Sequence, residues 1–231
     1  MLFHKPDSAD LAALSAWATV LPGASASEDY AHDEMTEYGA FAPDALALCE
    51  SAEGVAKVLG YCAQKNIAVT PRGAGTGLCG GAVPIHGGVV LSLERMNRIL
   101  EIDENTMTAT VEPGVLLSDF IREVEARGLF YPPDPGEKTA TLGGNAMTNA
   151  GGMRAVRYGV TRDYVLGMQV ALPSGELLDL GGKVVKTSSG YSLLSLLVGS
   201  EGTLGIVTKL ILKLLPMPRA NVSVPAPFDD L

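Results

Sequence analysis

Cysteine and histidine are scarce, with three of each in 231 residues. Cys49, Cys62 and Cys79 are odd in number and lack metal-ligand spacing, which excludes a disulfide framework and fits a reducing compartment. His4, His32 and His86 are scattered, which excludes an internal metal site built on histidine. Positive charge is also short. Seventeen Lys and Arg stand against 26 Asp and Glu, a net charge of -9, and nucleic acid as a partner is excluded because phosphate binding needs concentrated cations. No stretch reaches the roughly 18 uninterrupted apolar residues of a membrane span. Low-complexity tracts and short internal repeats are absent as well.

One stretch imitates a targeting signal. "LAALSAWATVLPGASAS" (11–27) looks like a signal core followed by an A-S-A cleavage site, but a signal wants a positive n-region. Lys5 is outweighed by Asp7 and Asp10. "DSADLAALSAWATVL" reads instead as a helix opened by Ser8 or Asp10, on a cytoplasmic protein.

Glycine (27) and proline (14) are what the chain has in quantity, and they favour tight turns and backbone-lined sites over a helical bundle. Between them the chain alternates. An amphipathic helix is expected over 51–66, with Ser51 as cap and Val55, Val58, Leu59 and Cys62 on one face. Strands are expected at "IAVT", 88–93, 99–103 and 107–113. A helix over 115–128 stops at Gly128. A hairpin follows over 164–180 around Pro173-Ser174-Gly175, then a short helix at 192–199 and a strand within 202–216 ending near Pro216. The class is α+β. A boundary near 70–85 separates a small βα subdomain from a larger sheet-rich one with flanking helices.

"VTPRGAGTGLCGGAVPIHGGVV" (69–90) holds seven glycines. Gly75, Gly77 and Gly80 spell G-x-G-x-x-G, and Glu94 lies about 20 residues past the first of them, as a dinucleotide-binding Rossmann turn would have it. The context refuses that reading. The last glycine of such a motif opens a helix, whereas Pro84 and two further glycines forbid one here. Glu94 follows the next strand with no crossover to carry it to a ribose. On the loop alone two readings stand: main-chain N–H groups wrapped around an anion, or a tight connection with no ligand.

Two more clusters bear on the choice. "PPDPGEKTATLGGNAMTNAGGMRAVRYGV" (132–160) sets hydroxyls and carboxamides beside glycines at Thr139, Thr141, Gly143, Gly144, Asn145, Asn149, Gly151 and Gly152. Those groups suit phosphate oxygens and the edge of a polar heterocycle; a turn-rich loop is the plain alternative, though nearly 30 residues of structureless linker is unusual. "VGSEGTLGIVT" (198–208) adds a third cluster with a lone acid, Glu201. Three such clusters suit a long dinucleotide.

At these residues the chain closely resembles the FAD-binding (PCMH-type) domain of the vanillyl-alcohol-oxidase flavoproteins, in the branch of glycolate oxidase FAD subunits and D-lactate dehydrogenases. "PRGAGTGL", "VEPGV" (111–115), "PPDPGEKTATLGGNAMTNAGG" and "GSEGTLGIVT" carry the resemblance, in family order, from "DEMTEYG" (33–39) to "LLPMP" (214–218). It implies a two-subdomain fold over 36–218, after an N-terminal helix and entry segment at 1–35. It further implies that Pro71, Arg72, Gly73, Ala74, Gly75, Thr76, Gly77 and Leu78 cradle the FAD pyrophosphate. Thr141, Gly143, Gly144, Asn145, Asn149, Gly151 and Gly152 would line phosphates and isoalloxazine. Glu201, Gly202, Gly205, Ile206 and Val207 would frame the ribose and adenine end. Covalent members attach the flavin through a histidine in the first loop; none is here, so FAD is expected to be non-covalent, and Cys79 reads as a packing residue.

Family members are much longer, and the resemblance implies that 219–231 begin a missing substrate domain, the cap. That domain would hold the catalytic base, the metal-ligand histidines and the substrate carboxylate site. No catalytic or metal residue is therefore assigned on this chain. The expected role is the FAD half of a dehydrogenase for small 2-hydroxy acids, with its cap supplied in cis or in trans and an unidentified electron acceptor. A stand-alone FAD-binding subunit and a flavin-binding module without turnover are the alternatives.

Overall fold

The computed structural model describes residues 3–184, 186–220, 222 and 224–228. It opens with α1 (Ser8–Leu14), capped by Asp7, whose carboxylate accepts the N–H groups of Ala9 and Asp10 while Asp10 reaches back to the N–H of Asp7. The expected helix over 7–21 is thus shorter, and its cap is neither Ser8 nor Asp10. Thr19 and Val20 leave it for β1 (Thr19–Pro22), where they pair with Leu48 and Ala47, an edge strand that suits β-branched residues.

β2 (Ala45–Leu48), α2 (Ala52–Gln64), β3 (Val69–Arg72) and β4 (Val89–Ser92) complete the first unit. Its sheet runs β1-β2-β4-β3, antiparallel at β1 and parallel elsewhere. Every residue of β2 and β4 is buried, as expected of parallel strands covered on both faces. Ser51 caps α2 by accepting the Gly54 N–H at 3.1 Å, and Val55, Val58, Leu59 and Cys62 are buried as their spacing implied.

The chain crosses to the second unit over 93–98, later than the expected 70–85. After the glycine loop it first returns as β4 to pair with β2 and β3. Next come β5 (Ile99–Asp103), β6 (Thr108–Val111), α3 (Leu117–Glu125), β7 (Leu129–Phe130), α4 (Leu142–Thr148) and α5 (Ala155–Tyr158). Then follow β8 (Val165–Ala171), β9 (Leu177–Gly181), α6 (Leu193–Leu197), β10 (Ile206–Lys213) and β11 (Leu215–Pro216). The larger sheet is antiparallel throughout, in the order β5-β6-β10-β8-β9, and β11 pairs with β7.

α2 joins the units. Its apolar face shares one core with Ala171 of β8 and Ile206 of β10, and Gly60 rides so close to the β8–β9 turn that a β-carbon there would sit 3.1 Å from the Gly175 Cα. The second core gathers Phe120, Tyr131, Leu142, Met168, Leu210 and their neighbours beneath α3 and α4. The two cores adjoin along β8 and β10, which give Ala171 and Ile206 to one and Val170 and Val207 to the other.

Candidate dinucleotide-binding site

The first cluster leaves β3 at Arg72. This side chain is not solvated: the residue is 6% exposed and lies under the loop. Its Nη1 donates to the main-chain oxygen of His32 and its Nη2 to that of Asp29, both at 2.7 Å, and the guanidinium lies 5.5 Å from the Tyr30 ring centroid. Burial pulls its pKa down, against the opposing pull of the Tyr30, Asp33, Asp29 and Glu94 groups around it. A buried guanidinium needs such partners, because an unpaired charge away from water is costly. Arg72 is therefore the pillar of the loop rather than an open cation.

Above it, residues 73–88 form no helix, which fits the absence of a Rossmann turn. Gly75 has φ +76, and a β-carbon there would collide with the Arg72 guanidinium; a left-handed backbone pressed onto a pinned side chain admits only glycine without strain. The N–H groups of 74–82 donate to no other group among the described residues. Main-chain donors left free in a half-buried row are what an anion cradle requires.

Asp33 lies against this loop and is 2% exposed. Its Oδ1 accepts the Met35 N–H at 2.9 Å, while Oδ2 has no partner among the described residues and faces Gly77, whose β-carbon would lie 3.6 Å away. The adjacent Glu34 N–H donates to the Gly77 oxygen at 3.0 Å. Asp33 was not among the expected site residues, although "DEMTEYG" opens the stretch that carries the resemblance.

The second cluster meets the first through Gly73, where a β-carbon would overlap the Thr141 hydroxyl. Thr141 also caps α4, accepting the Gly144 N–H at 3.2 Å. Gly143 packs on Pro113 of the "VEPGV" turn, with 2.6 Å from a β-carbon to Pro113 Cβ. The 132–160 segment is therefore built around α4 and α5 rather than being a plain loop. Asn145 is buried, and Asn149 ends α4 in the left-handed region with φ +50, its Oδ1 accepting the Arg162 N–H at 2.9 Å. Gly152 lies directly on the Asp134 main chain, with Gly151 beside it.

The third cluster closes over both. The Gly199 and Glu201 N–H groups donate to the oxygens of Ala146 and Met147, at 3.1 and 2.9 Å. Gly202, at φ +77, sits against Pro71, and the Glu201 carboxylate lies beside Gly81. Glu201 is itself left-handed, at φ +52, an uncommon conformation for a non-glycine residue and one that marks functional sites. Gly205 packs against Val170. Ile206 and Val207 differ from the rest: their side chains go to the two cores and they pair with Ala171 and Val170.

Several large apolar side chains of the chain remain open to solvent. Leu78 is 70% exposed, Met153 86% and Tyr191 99%. Cys79 is exposed, which corrects its reading as a packing residue, whereas Cys49 and Cys62 are buried thiols. His86 is exposed against the Phe3 ring, 5.1 Å between centroids. Among the described residues one cluster has metal-ligand character, His4, Asp7 and Asp10; Asp7 and Asp10 are engaged in the capping box of α1, and His4 pairs with Asp10. No described helix is long and apolar enough to cross a membrane.

The arrangement has counterparts. Residues 43–181 match the family described as FAD binding domain. A D-lactate dehydrogenase of Anaerostipes hadrus is 55% identical over 92% of this chain and 45% of its own length. The glycolate oxidase subunit GlcD of Bacillus subtilis is 47% identical over 87% of this chain and 43% of its own. This chain thus spans about half the length of these relatives. Among solved structures, an alkyldihydroxyacetonephosphate synthase superposes with a TM-score of 0.69 at 29% identity, covering 78% of this chain and 35% of its own. The 6-hydroxy-D-nicotine oxidase of Arthrobacter nicotinovorans shares the fold at 24% identity, with a TM-score of 0.74 over 87% of this chain and 43% of its own.

Proposed function

The chain belongs to the FAD binding domain family, and from that premise we propose that it is the FAD-holding half of a dehydrogenase for small 2-hydroxy acids. The observation that carries the reading is the unspent row of N–H donors over 74–82 above a buried arginine. That row fits a pyrophosphate, and the orphaned Asp33 Oδ2 fits a ligand hydroxyl, since a carboxylate accepts and does not donate.

Each cluster then has a part. The main chain from Pro71 to Leu78 wraps the diphosphate. Thr141, Gly143, Gly144, Asn145, Asn149, Gly151 and Gly152 line the phosphate and ring side. Glu201, Gly202 and Gly205 close the ribose and adenine end, with Ile206 and Val207 as the strand beneath. FAD when bound supplies a hydride acceptor. The protein's share is to position it and to screen its reactive face from water. Binding is non-covalent, since His32 and His86 lie outside the cradle loop and the exposed Cys79 is not needed for it.

The names of the relatives support the substrate class, D-lactate in one and glycolate in the other. Exposed Leu78 in the loop and exposed Met153 next to Gly152 support a covering domain, in cis or in trans, that brings the base for the hydroxyl proton. Free thiols support a cytoplasmic setting.

The test is a visible spectrum of the purified chain with added FAD, before and after acid precipitation. Flavin bands that co-purify and pass to the supernatant on acid treatment are expected. A folded chain that stays colourless at saturating FAD would count against the cofactor role of this half, and flavin retained in the pellet against non-covalent binding.

A further inference from the structure

The 73–88 loop is held at both ends. Arg72 holds it where it leaves β3; where it re-enters the first sheet, at His86–Gly88, the hold comes from residues 3–5. The Phe3 ring lies 5.1 Å from the His86 ring, tilted by 43°. The His4 N–H donates to the Asn66 oxygen at 2.8 Å, which lays this segment along the turn between α2 and β3. Lys5 Nζ meets Asp44 Oδ1 at 2.8 Å. Asp44 in turn grips the end of the loop. Its Oδ2 accepts the Gly88 N–H at 2.8 Å, and its own N–H donates to the Gly88 oxygen at 2.9 Å. Gly87 and Gly88 are left-handed, at φ +65 and +69, and a β-carbon on Gly87 would lie 2.6 Å from Asp44 Oδ2.

The ground at this end of the loop is open. Phe3, Ile85 and His86 border a largely apolar hollow of about 300 Å³, which Leu59, Ile67 and Val69 also line. Ile85 is 43% exposed. Beside such a hollow the loop lacks close packing to fix it, which leaves that task to the Phe3 ring and the Lys5–Asp44 pair. From here a run of bonded turns leads back to the cradle. The Gly87 N–H donates to the Pro84 oxygen at 2.8 Å, Ile85 to Val83 at 2.9 Å and Val83 to Gly80 at 3.1 Å. Gly80 belongs to the 74–82 row of free donors, so the placing of Gly88 is handed along to that row. We infer that residues 3–5 form a strap that positions the cradle, with Phe3 and Lys5 as positioning residues for the diphosphate of the cofactor. The strap rests on the cofactor reading above. Neither residue needs to touch the ligand. Donors held in a converging arrangement before the ligand arrives spare it the cost of ordering them. The strap's own contacts are weak and wet, with the Lys5 side chain 80% exposed. Its loss should therefore loosen the loop without unfolding the first unit.

The test compares F3A, K5Q and the double variant with wild type by FAD affinity, from quenching of flavin fluorescence, by melting temperature and by amide hydrogen exchange without FAD. F3A and K5Q should each weaken FAD about two- to threefold, and the pair about fivefold, as expected for the loss of one or two weak contacts. Exchange should quicken over 83–88 in the same variants while β2, β4 and α2 keep their protection. K5R, which keeps a charge opposite Asp44, should bind FAD as wild type does. R95Q breaks an exposed ion pair with Glu50 in the same unit and should leave FAD affinity unchanged. Unchanged FAD affinity in the double variant overturns the strap. So does a weakening that R95Q matches, or one accompanied by faster exchange across the whole first unit, since either is a general loss of stability. A wild type that takes up no FAD overturns the cofactor reading, and the positioning role falls with it.

Discussion

Gly73 is packed so tightly on Thr141 that a β-carbon on the glycine would overlap the threonine hydroxyl, the same hydroxyl that caps α4. Two glycine clusters about 70 residues apart in sequence are locked together at this point. G73A is expected to cost about 1–3 kcal/mol by overpacking and T141A about 1 kcal/mol through the lost cap. In the double variant the methyl gains room, so its cost should be smaller than the two single costs added. Urea unfolding of the four proteins checks this, and strict additivity would show that the contact carries no coupling.

Arg72 spans two carbonyl oxygens with one planar group, and lysine has no fork to do so. R72K should lower stability by about 2 kcal/mol, as expected for lost hydrogen bonds to a buried charge, and weaken FAD by tenfold or more because the loop loses its pillar. FAD titration by quenching of flavin fluorescence measures the second effect. An R72K protein that is destabilised but binds FAD with wild-type affinity would separate the pillar from the cradle.

Glu201 holds a left-handed backbone at φ +52, which costs a non-glycine residue roughly 1–2 kcal/mol. Glycine relieves that strain and removes the carboxylate beside Gly81. E201G is expected to melt at or above the wild-type temperature while binding FAD several times more weakly. A lower melting temperature together with unchanged FAD affinity would make Glu201 a structural residue only.

Asp10 has a side chain 3% exposed. The Asp7 N–H, the Tyr61 hydroxyl at 2.8 Å and His4 at 2.8 Å hold its carboxyl far below the usual carboxylate range. A folded value below the unfolded one means that the stabilisation is complete above about pH 4 and lost as pH falls toward the folded value. D10N should therefore be less stable than wild type at pH 7, by roughly 1.5–3 kcal/mol, and the gap should narrow in acid. Denaturant melts at pH 7 and pH 3 read it. A gap that stays constant would place its origin in packing.

Much of the framework was legible locally. Ser51 and the apolar spacing of 55, 58, 59 and 62 specify α2, because an amphipathic helix with a capped start needs little from the rest of the chain. Pro84 and the glycines after Gly80 rule out a Rossmann helix for equally local reasons. The N-terminal pattern misled: alanine-rich 7–21 favours a helix, yet Thr19 and Val20 gain more as an edge strand against Leu48 and Ala47. Segment 132–160 looked like loop because α4 contains two glycines, and it holds its shape through the Thr141 cap and the Pro113 contact.

The sequence by itself determined the composition of the site: glycine where main chain must come close, hydroxyl and amide groups between, no histidine in the loop. Those are properties of residue types, readable one at a time. Tertiary structure decided which of them meet. Gly73 reaches Thr141, Gly202 reaches Pro71, and Asp33 lies beside Gly77, contacts set up by β4 returning to the first sheet and by α2 packing on Ala171 and Ile206 of the second. Arg72 illustrates the division. In sequence it is one cation in a glycine loop, free to bind a phosphate; in the fold it is buried under the loop with its donors given to His32 and Asp29, because a buried charge must be paired where it lies.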